Sequence, residues 1–460
     1  MASQSDWYRP RPYPHFDPPV SEADAQSVVT EPEKIESHAF YPFIKRVDRT
    51  PEYRSSEGVV KYKPRRICFA AHLDAHIYAY YSEILSDLYE EQIEDEPYSE
   101  SVVAYRSFKE ITGEAQCNIH FARHVFDFIA DQCTPQRPLA ALAFDVSSFF
   151  DNLDHKRLKT EWGKILGTQR LPEDHYNLYT SLTQYAYVKL SRLKEILEYY
   201  EKSRKERSRK KKICSAETFR KEIRGEGHVI VNHHDWGIPQ GTPISALLSN
   251  IYMRPFDRAV YEKVDDLGGF YRRYSDDLIT VVPAERASEV KAFVMDKIYD
   301  LELTIQERKT DPYRLDHDGS SITCVNEDTG EEEPLQFLGF VYDGTNVRIR
   351  PSSLTSFYRR MNGAVKAEAN RADQGDPVDA DGRLIHRNSL YERFSHLGDR
   401  NFITYAYRAA DRMDESDQLS GDAIRAQVAG HWESLHDRIE EWEGKIRAGE
   451  LEQPDQKEDE

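Results

Sequence analysis

Tyr271-Arg272-Arg273-Tyr274-Ser275-Asp276-Asp277-Leu278-Ile279-Thr280-Val281-Val282 is the stretch that decides the fold. Two runs rich in aromatic and β-branched residues flank a short polar turn, the pattern of a β-hairpin with two carboxylates near its tip. Adjacent carboxylates held this close repel one another, so a fold that fixes them usually supplies a cation. Hard oxygen ligands suit Mg2+, which keeps several waters and takes substrate phosphates into its shell. Taken alone, the turn also fits two solvated aspartates in an ordinary hairpin, because Ser and Asp are common turn residues.

Two further stretches change that balance. Pro138-Leu139-Ala140-Ala141-Leu142-Ala143-Phe144-Asp145 is a short apolar run whose end delivers a third carboxylate, as a buried strand would. Three aspartates from two neighbouring strands could hold a metal pair, the arrangement that clamps attacking and leaving oxygens in phosphoryl transfer. Gly237-Ile238-Pro239-Gln240-Gly241-Thr242-Pro243-Ile244-Ser245 is a stiff Pro/Gly loop that runs into an apolar-periodic helix beginning at Ala246, with Ser245 as the expected N-cap. Such a loop brings backbone close to a bound nucleotide and presents the Gln240 amide to it.

In this order the three segments resemble the palm motifs of reverse transcriptases, especially prokaryotic ones related to group II intron, retron and defence-associated enzymes. Asp145 matches the catalytic aspartate of the first motif, Pro239-Gln240-Gly241 the loop of the second, and Tyr274-Ser275-Asp276-Asp277 the Tyr-x-Asp-Asp box. The box carries Ser at its second position, where relatives often have Ala or Met. The resemblance implies an α/β (α+β) right-hand polymerase, with fingers, an antiparallel palm sheet backed by helices, and a helical thumb. It implies Mg2+, two per site with Mn2+ as a possible substitute, on Asp145, Val146, Asp276 and Asp277. Lys309 resembles the fourth motif's lysine, which protonates the leaving pyrophosphate or steadies its charge.

The same resemblance distributes substrate contacts. Lys63, Arg65 and Arg66 fall in the fingers, facing template or triphosphate. Val102 to Arg106 resembles a second fingers strand, with Arg106 as a phosphate contact, since a guanidinium suits phosphate bidentately. Phe149 and Phe150 follow Asp145, and a phenyl ring at Phe150 would clash with a ribose 2′-hydroxyl, which favours dNTPs; simple core packing explains the ring as well. Gln240 and Gly241 complete the nucleotide set. Tyr274 and the turn Phe337-Leu338-Gly339, which resembles the primer grip, would touch nucleic acid. In the helical region beyond residue 351, Arg387, Tyr391, Arg393 and His396 are candidate backbone contacts, though helix-surface solubility accounts for them nearly as well.

The 460 residues suit two or three coupled subdomains. The expected divisions are a Pro-rich, partly disordered extension over 1–58, fingers and palm over 59–350, thumb and C-terminal helix over 351–448, and an acidic tail over 449–460. A net charge of −19 argues against nucleic-acid binding only if averaged, because binding needs local cations along a backbone track. The basic run Lys202 to Lys212, inside an insertion at about 185–226, supplies such cations. Arg204, Lys205, Arg209, Lys210 and Lys211 would grip phosphates without reading sequence, or form a solvated arm. An amphipathic helix is expected over 182–200, one helix over Asn118 to Gln132 with His120 and His124 on its polar face, and helices over 354–372, 384–413 and 422–448.

No apolar run is long enough to span a membrane and no secretory signal is apparent, so no membrane association is expected. The five cysteines are dispersed without zinc spacing, as reduced thiols in a cytoplasm would be. Expected partners are an RNA template, a DNA product, dNTPs, and a helper protein or a second copy. Phrases around Tyr105, Phe149 to His155 and Arg400 to Ala409 look most like the antiphage defence branch, which implies a dedicated noncoding RNA as template. RNA synthesis, untemplated or protein-primed DNA synthesis, and a non-catalytic RNA-binding scaffold remain open alternatives.

Overall fold

The computed structural model describes residues 7–54, 59–108, 113, 115–202, 204–207, 211–305, 310–373 and 385–450. The chain begins with an arm, residues 7–21, clamped onto the first long helix. Trp7, His15 and Phe16 are buried, and Tyr8 stacks on His76 with ring centroids 4.6 Å apart. Two short helices follow, α1 (Glu22–Val29) and α2 (Pro32–Glu36), the first capped by Ser21 and the second begun by a proline. β1 (Phe43–Arg54) then pairs antiparallel with β2 (Val59–Phe69).

Helix α3 (His72–Ile93) receives its N-terminal cap from this arm. The Asp17 carboxylate accepts from the His72 and Leu73 amides at 2.9 and 3.0 Å, satisfying donors that a helix start leaves open. Fully buried Asp74 accepts from the Tyr41 amide at 2.9 Å and pairs with His38 at 2.7 Å. Of the extension expected to be Pro-rich and partly disordered over 1–58, residues 7–54 take up the arm, α1, α2 and β1 just described. Proline-rich composition concealed aromatic anchors that have no helical or strand period.

α4 (Asn118–Gln132) has the expected bounds. The stretch from Val102 to Arg106 is not a strand; only Val102 bridges to Arg273. β3 (Leu139–Asp145), α5 (His155–Ile165) and α6 (Glu173–Thr183) come next. The helix expected over 182–200 is broken by β4 (Ala186–Lys189), which runs parallel to β1, and only α7 (Leu190–Ile196) and one further turn are helical. β5 (Ile230–Val231) completes a sheet of order β2-β1-β4-β5. Leu193, Leu197, Tyr199, Ile213 and Ile223 of the insertion close over Phe16, Ile44 and Val188.

The central sheet has the order β6-β7-β3-β8-β9, antiparallel throughout, built from β3, β6 (Phe270–Tyr274), β7 (Asp277–Pro283), β8 (Asp311–His317) and β9 (Ile322–Asn326). Helices α8 (Ser245–Asp265) and α9 (Ala287–Asp300) flank β6 and β7 in the chain. β3 is apolar on both faces because it separates two cores. Ala140, Leu142 and Phe144 pack with α3, α5, α8 and α9, whereas Leu139 and Ala141 pack with α4 and the C-terminal helices. The two-residue side-chain period of a strand divides one apolar run between them.

A small sheet of β10 (Leu335–Phe337), β11 (Phe340–Tyr342) and β12 (Val347–Ile349) leads into α10 (Pro351–Asp373), α11 (Asn388–Phe394), α12 (Phe402–Met413), α13 (Asp422–Val428) and α14 (His431–Ala448). Both C-terminal segments expected as single helices are broken. Extended Ser395 and left-handed Arg400 separate α11 from α12, and Gly430 begins α14. The whole is a right-hand polymerase architecture, a palm sheet backed by helices with a helical layer beyond residue 351. Among the described residues no helix is long and apolar enough to cross a membrane, and all five cysteines are free.

Candidate active site

Asp145 closes β3 directly opposite Asp277, the first residue of β7, and Tyr274 lies opposite Asp277 on its other side. The amide of Val146 donates to the Asp276 carbonyl at 3.3 Å, and that of Ser147 to Thr304 at 2.9 Å. Three chain segments therefore meet where the carboxylates emerge. Ser275 takes the left-handed backbone conformation (φ 61°), which turns the chain within two residues.

This turn is held from beneath. The buried Arg273 guanidinium donates to the Ser275 carbonyl at 3.1 Å, to Asn250 Oδ1 at 3.2 Å, and to both oxygens of Asp257 on α8. Burial opposes the charge on Arg273, but the Asp257 carboxylate outweighs it and holds the group more firmly protonated than an ordinary arginine. From the side, the hydroxyl of Tyr105 lies 3.1 Å from Ser275 Oγ. Neither Arg273 nor Asn250 nor Tyr105 was assigned a site role from the sequence; the signals were Arg273's position within the hairpin stretch and Tyr105's within the Val102–Arg106 stretch.

The carboxylates open onto a cleft of about 480 Å3 whose lining includes Asn118, Asp145, Tyr274, Asp277, Phe337 and Gly339. Leu338 and Gly339 both have positive φ, 47° and 90°, forming the tight β10–β11 turn. Asn118, at the start of α4, fixes that turn by donating to the Leu338 carbonyl at 3.1 Å. Phe337 itself points into the core and Leu338 is half-buried. Burial is the largest influence on Tyr274 and pushes its phenol above the ordinary range.

A second cavity of about 250 Å3 is lined by Tyr105, Phe150, Gln240, Gly241 and Pro243. The Gln240 carbonyl accepts from the Cys68 amide at 2.8 Å, and the Ile238 amide donates to Phe150 at 2.9 Å, so the Pro/Gly loop is laced to β2 and to the segment after Asp145. Gly241 has φ +105°, and a Cβ there would meet the Cys68 carbonyl oxygen at 3.0 Å. Ser245 is not the N-cap of α8, since Ile244 holds that place. The Ser245 hydroxyl instead donates to the Pro239 carbonyl at 2.7 Å and braces the loop.

Several expected contacts fall elsewhere. Arg106 is not presented to a phosphate. Its guanidinium is buried, bound to Glu90 at 2.7 and 2.9 Å and to the carbonyls of Ser99 and Val102. Phe149 is a core residue, leaving Phe150 as the ring on the cavity wall. Arg66 is half-exposed and pairs with Asp151 at 3.1 Å; Arg65 is exposed. His120 is buried and His124 lies 3.3 Å from Arg272, so neither sits on an exposed polar face. Arg387 is tied to Glu443, and Tyr391 to His436, within the helical layer. Lys309, Arg209 and Lys210, and the side chains of Lys63, Arg204 and Lys205, lie outside the described residues; Lys211 is exposed.

Asp145, Asp276, Asp277 and the Val146 carbonyl offer only oxygen donors, a set that fits a hard divalent cation in kind. Among the described residues no three His, Cys, Asp or Glu side chains are gathered into a ligand cluster. The shared register of Asp145 and Asp277 is what the structure supplies.

Comparison with known proteins places this geometry in a family. The family model described as "Reverse transcriptase (RNA-dependent DNA polymerase)" matches residues 84–342, more than half of the chain. No curated protein sequence matches. Similar solved structures include apo telomerase from Candida tropicalis truncated from its C-terminal domain (10% identity, TM-score 0.42, covering 71% of this chain and 59% of that one). Telomerase from Candida albicans in complex with a TWJ fragment of telomeric RNA is another (12% identity, TM-score 0.42, 92% and 68%). This chain thus spans 59% of the first of these and 68% of the second. By its matched palm segment, the chain belongs to the reverse transcriptase (RNA-dependent DNA polymerase) family.

Proposed function

We propose that this protein is an RNA-directed DNA polymerase that adds dNTPs to a 3′ end. The observation that carries the reading is Asp145 directly opposite Asp277, at the mouth of a cleft shared with the Phe337–Gly339 turn. That relation puts the carboxylates beside the surface where a primer end would rest. Phe150, Gln240 and Gly241 wall the adjoining cavity, where the sugar and base of an incoming nucleotide would sit. The Phe150 ring narrows that cavity against a 2′-hydroxyl, which favours dNTPs over rNTPs.

The family generally uses divalent cations, and Asp145, Asp276, Asp277 and the Val146 carbonyl are the groups that would hold two Mg2+. When bound, such ions lower the pKa of the attacking hydroxyl and neutralise charge on the departing pyrophosphate. The protein's own part is positional. Arg273 and Tyr105 fix the turn that carries Asp276 and Asp277, and the strand pairing fixes Asp145 against it. Lys309, Lys63, Arg65, Arg66 and the basic run from Arg204 to Lys211 are proposed phosphate contacts. The template is proposed to be a dedicated noncoding RNA and the setting bacterial antiphage defence, supported by the phrases around Tyr105, Phe149 to His155 and Arg400 to Ala409.

Primer extension on an RNA template tests the activity. Wild type should incorporate dNTPs and Asp276→Ala/Asp277→Ala should not. Free use of rNTPs by the unmutated protein, or equal product without template, would overturn the assignment. For the setting, phage plating on cells expressing wild type should fall relative to cells expressing the double variant; equal plating would remove the defence role.

A further inference from the structure

The N-terminal arm, residues 7–21, carries no catalytic or binding motif. It nonetheless reaches the nucleotide cavity. Arg11 forms part of the wall that also holds Tyr105, Phe150, Gln240 and Gly241. Among the described residues lining that cavity, Arg11 is the only charged one. Its Nε is buried and has no hydrogen-bond partner among the described residues. A buried donor left open is costly, and one on a charged group more so. The position therefore suits an anion that arrives with a ligand.

The backbone holds Arg11 in place from both sides. Before it, Trp7 is buried, Tyr8 stacks on His76, and the Tyr8 hydroxyl donates to the Val20 carbonyl at 2.8 Å. After it, the Tyr13 hydroxyl donates to the Ala70 carbonyl at 2.9 Å, His15 Nε2 lies 3.1 Å from the Phe69 carbonyl, and Asp17 caps α3. Pro10 and Pro12 flank Arg11 directly, and each locks its own φ. An arm with so little freedom presents its side chain at low entropic cost.

We propose that Arg11 binds a phosphate group in the nucleotide cavity, delivered by an arm that lies outside the family-matched segment, residues 84–342. Planar, multidentate donors make arginine the natural partner of phosphate oxygens. The phosphate belongs either to the incoming triphosphate or to the backbone of the strand being copied. This inference rests on the polymerase reading of the cavity.

Direct binding separates the sources. In Mg2+ buffer, dGTP is titrated by calorimetry, and a labelled single-stranded RNA oligonucleotide by anisotropy, into wild type, Arg11→Ala and Arg11→Lys. Arg11→Ala should weaken at least one ligand by roughly tenfold or more, the scale of a charge-assisted hydrogen bond. Arg11→Lys should recover a large part of the loss, and the melting temperature should hold. Loss confined to dGTP assigns the triphosphate; loss confined to RNA assigns the strand backbone. Unchanged affinity for both, or equal losses in both variants with a lowered melting temperature, would overturn the proposal. Primer extension on the same wild-type sample separates the two ideas. No DNA synthesis there would sink the polymerase reading, while the binding titrations would still decide whether Arg11 takes phosphate.

Discussion

The Arg273 guanidinium grips the Asp257 carboxylate through two hydrogen bonds, 2.7 Å from Nε and 2.6 Å from the terminal nitrogen, with both side chains fully buried. The Tyr271 hydroxyl adds a third bond to the same carboxylate at 2.7 Å. Removing one partner of such a pair leaves an uncompensated charge, so Asp257→Ala should cost about 3–5 kcal/mol in urea unfolding. The apolar double variant Arg273→Met/Asp257→Leu should regain much of that stability, because the desolvation cost disappears from both sides. DNA synthesis should not return with it, since the bond to the Ser275 carbonyl is gone. Recovery of synthesis in the double variant would show that the pair supports only the core.

Phe150 is the partly buried half of an aromatic pair whose other ring, Phe149, is buried 5.5 Å away. Phe150→Ala should therefore open the nucleotide cavity without emptying the core. The ratio of rNTP to dNTP incorporation in single-nucleotide extension should rise by roughly tenfold or more, as expected when a steric wall is removed. An unchanged ratio would assign Phe150 to packing alone.

Two glycines should fail for different reasons. A Cβ on Gly339 meets nothing within 4 Å, so Gly339→Ala carries only the strain of its positive φ, about 1–2 kcal/mol. Gly241→Ala adds a contact with the Cys68 carbonyl oxygen at 3.0 Å to a φ of +105°, and the loop would have to lift off β2. Thermal melting should rank Gly241→Ala as the more damaging change. The opposite order would mean that the Pro/Gly loop is not latched to β2.

The arm should also loosen in acid. Burial, the leading cause, brings His15 down to about 3, and burial, Arg11 and His72 together bring His76 down to about 4. Such a histidine is neutral in both states above its unfolded value of about 6.5. Below that pH the unfolded chain takes up a proton that the folded chain refuses. Stability is therefore intact at neutral pH and falls as pH drops from about 6.5 toward 4, by at most about 1.4 kcal/mol per pH unit for each histidine. Melting followed across this window should show a shallower decline for His15→Gln than for wild type. Parallel curves would contradict the burial of His15.

The palm was legible because its chemistry is local. Asp145, Gln240, Asp276 and Asp277 sit in short motifs whose turn and strand signals survive without tertiary context. The register that sets Asp145 against Asp277 follows from two strands that end at their carboxylates. What escaped notice depends on distant pairing. Asp17 caps a helix 55 positions away, and Arg106 resembles a phosphate ligand until Glu90 is seen to occupy it. The arm has aromatic anchors but no period, so composition suggested disorder. The helix expected over 182–200 failed because Tyr187 and Val188 find a strand partner in β1, a tertiary choice that overrides local propensity.

Sequencing the nucleic acid that co-purifies with the protein, wild type beside Asp276→Ala/Asp277→Ala, tests the central claim most directly. Wild type should carry a discrete RNA together with DNA complementary to it, and the double variant should carry the RNA alone. DNA of equal amount in both samples, or DNA in wild type with no complementary RNA, would contradict templated synthesis at these aspartates.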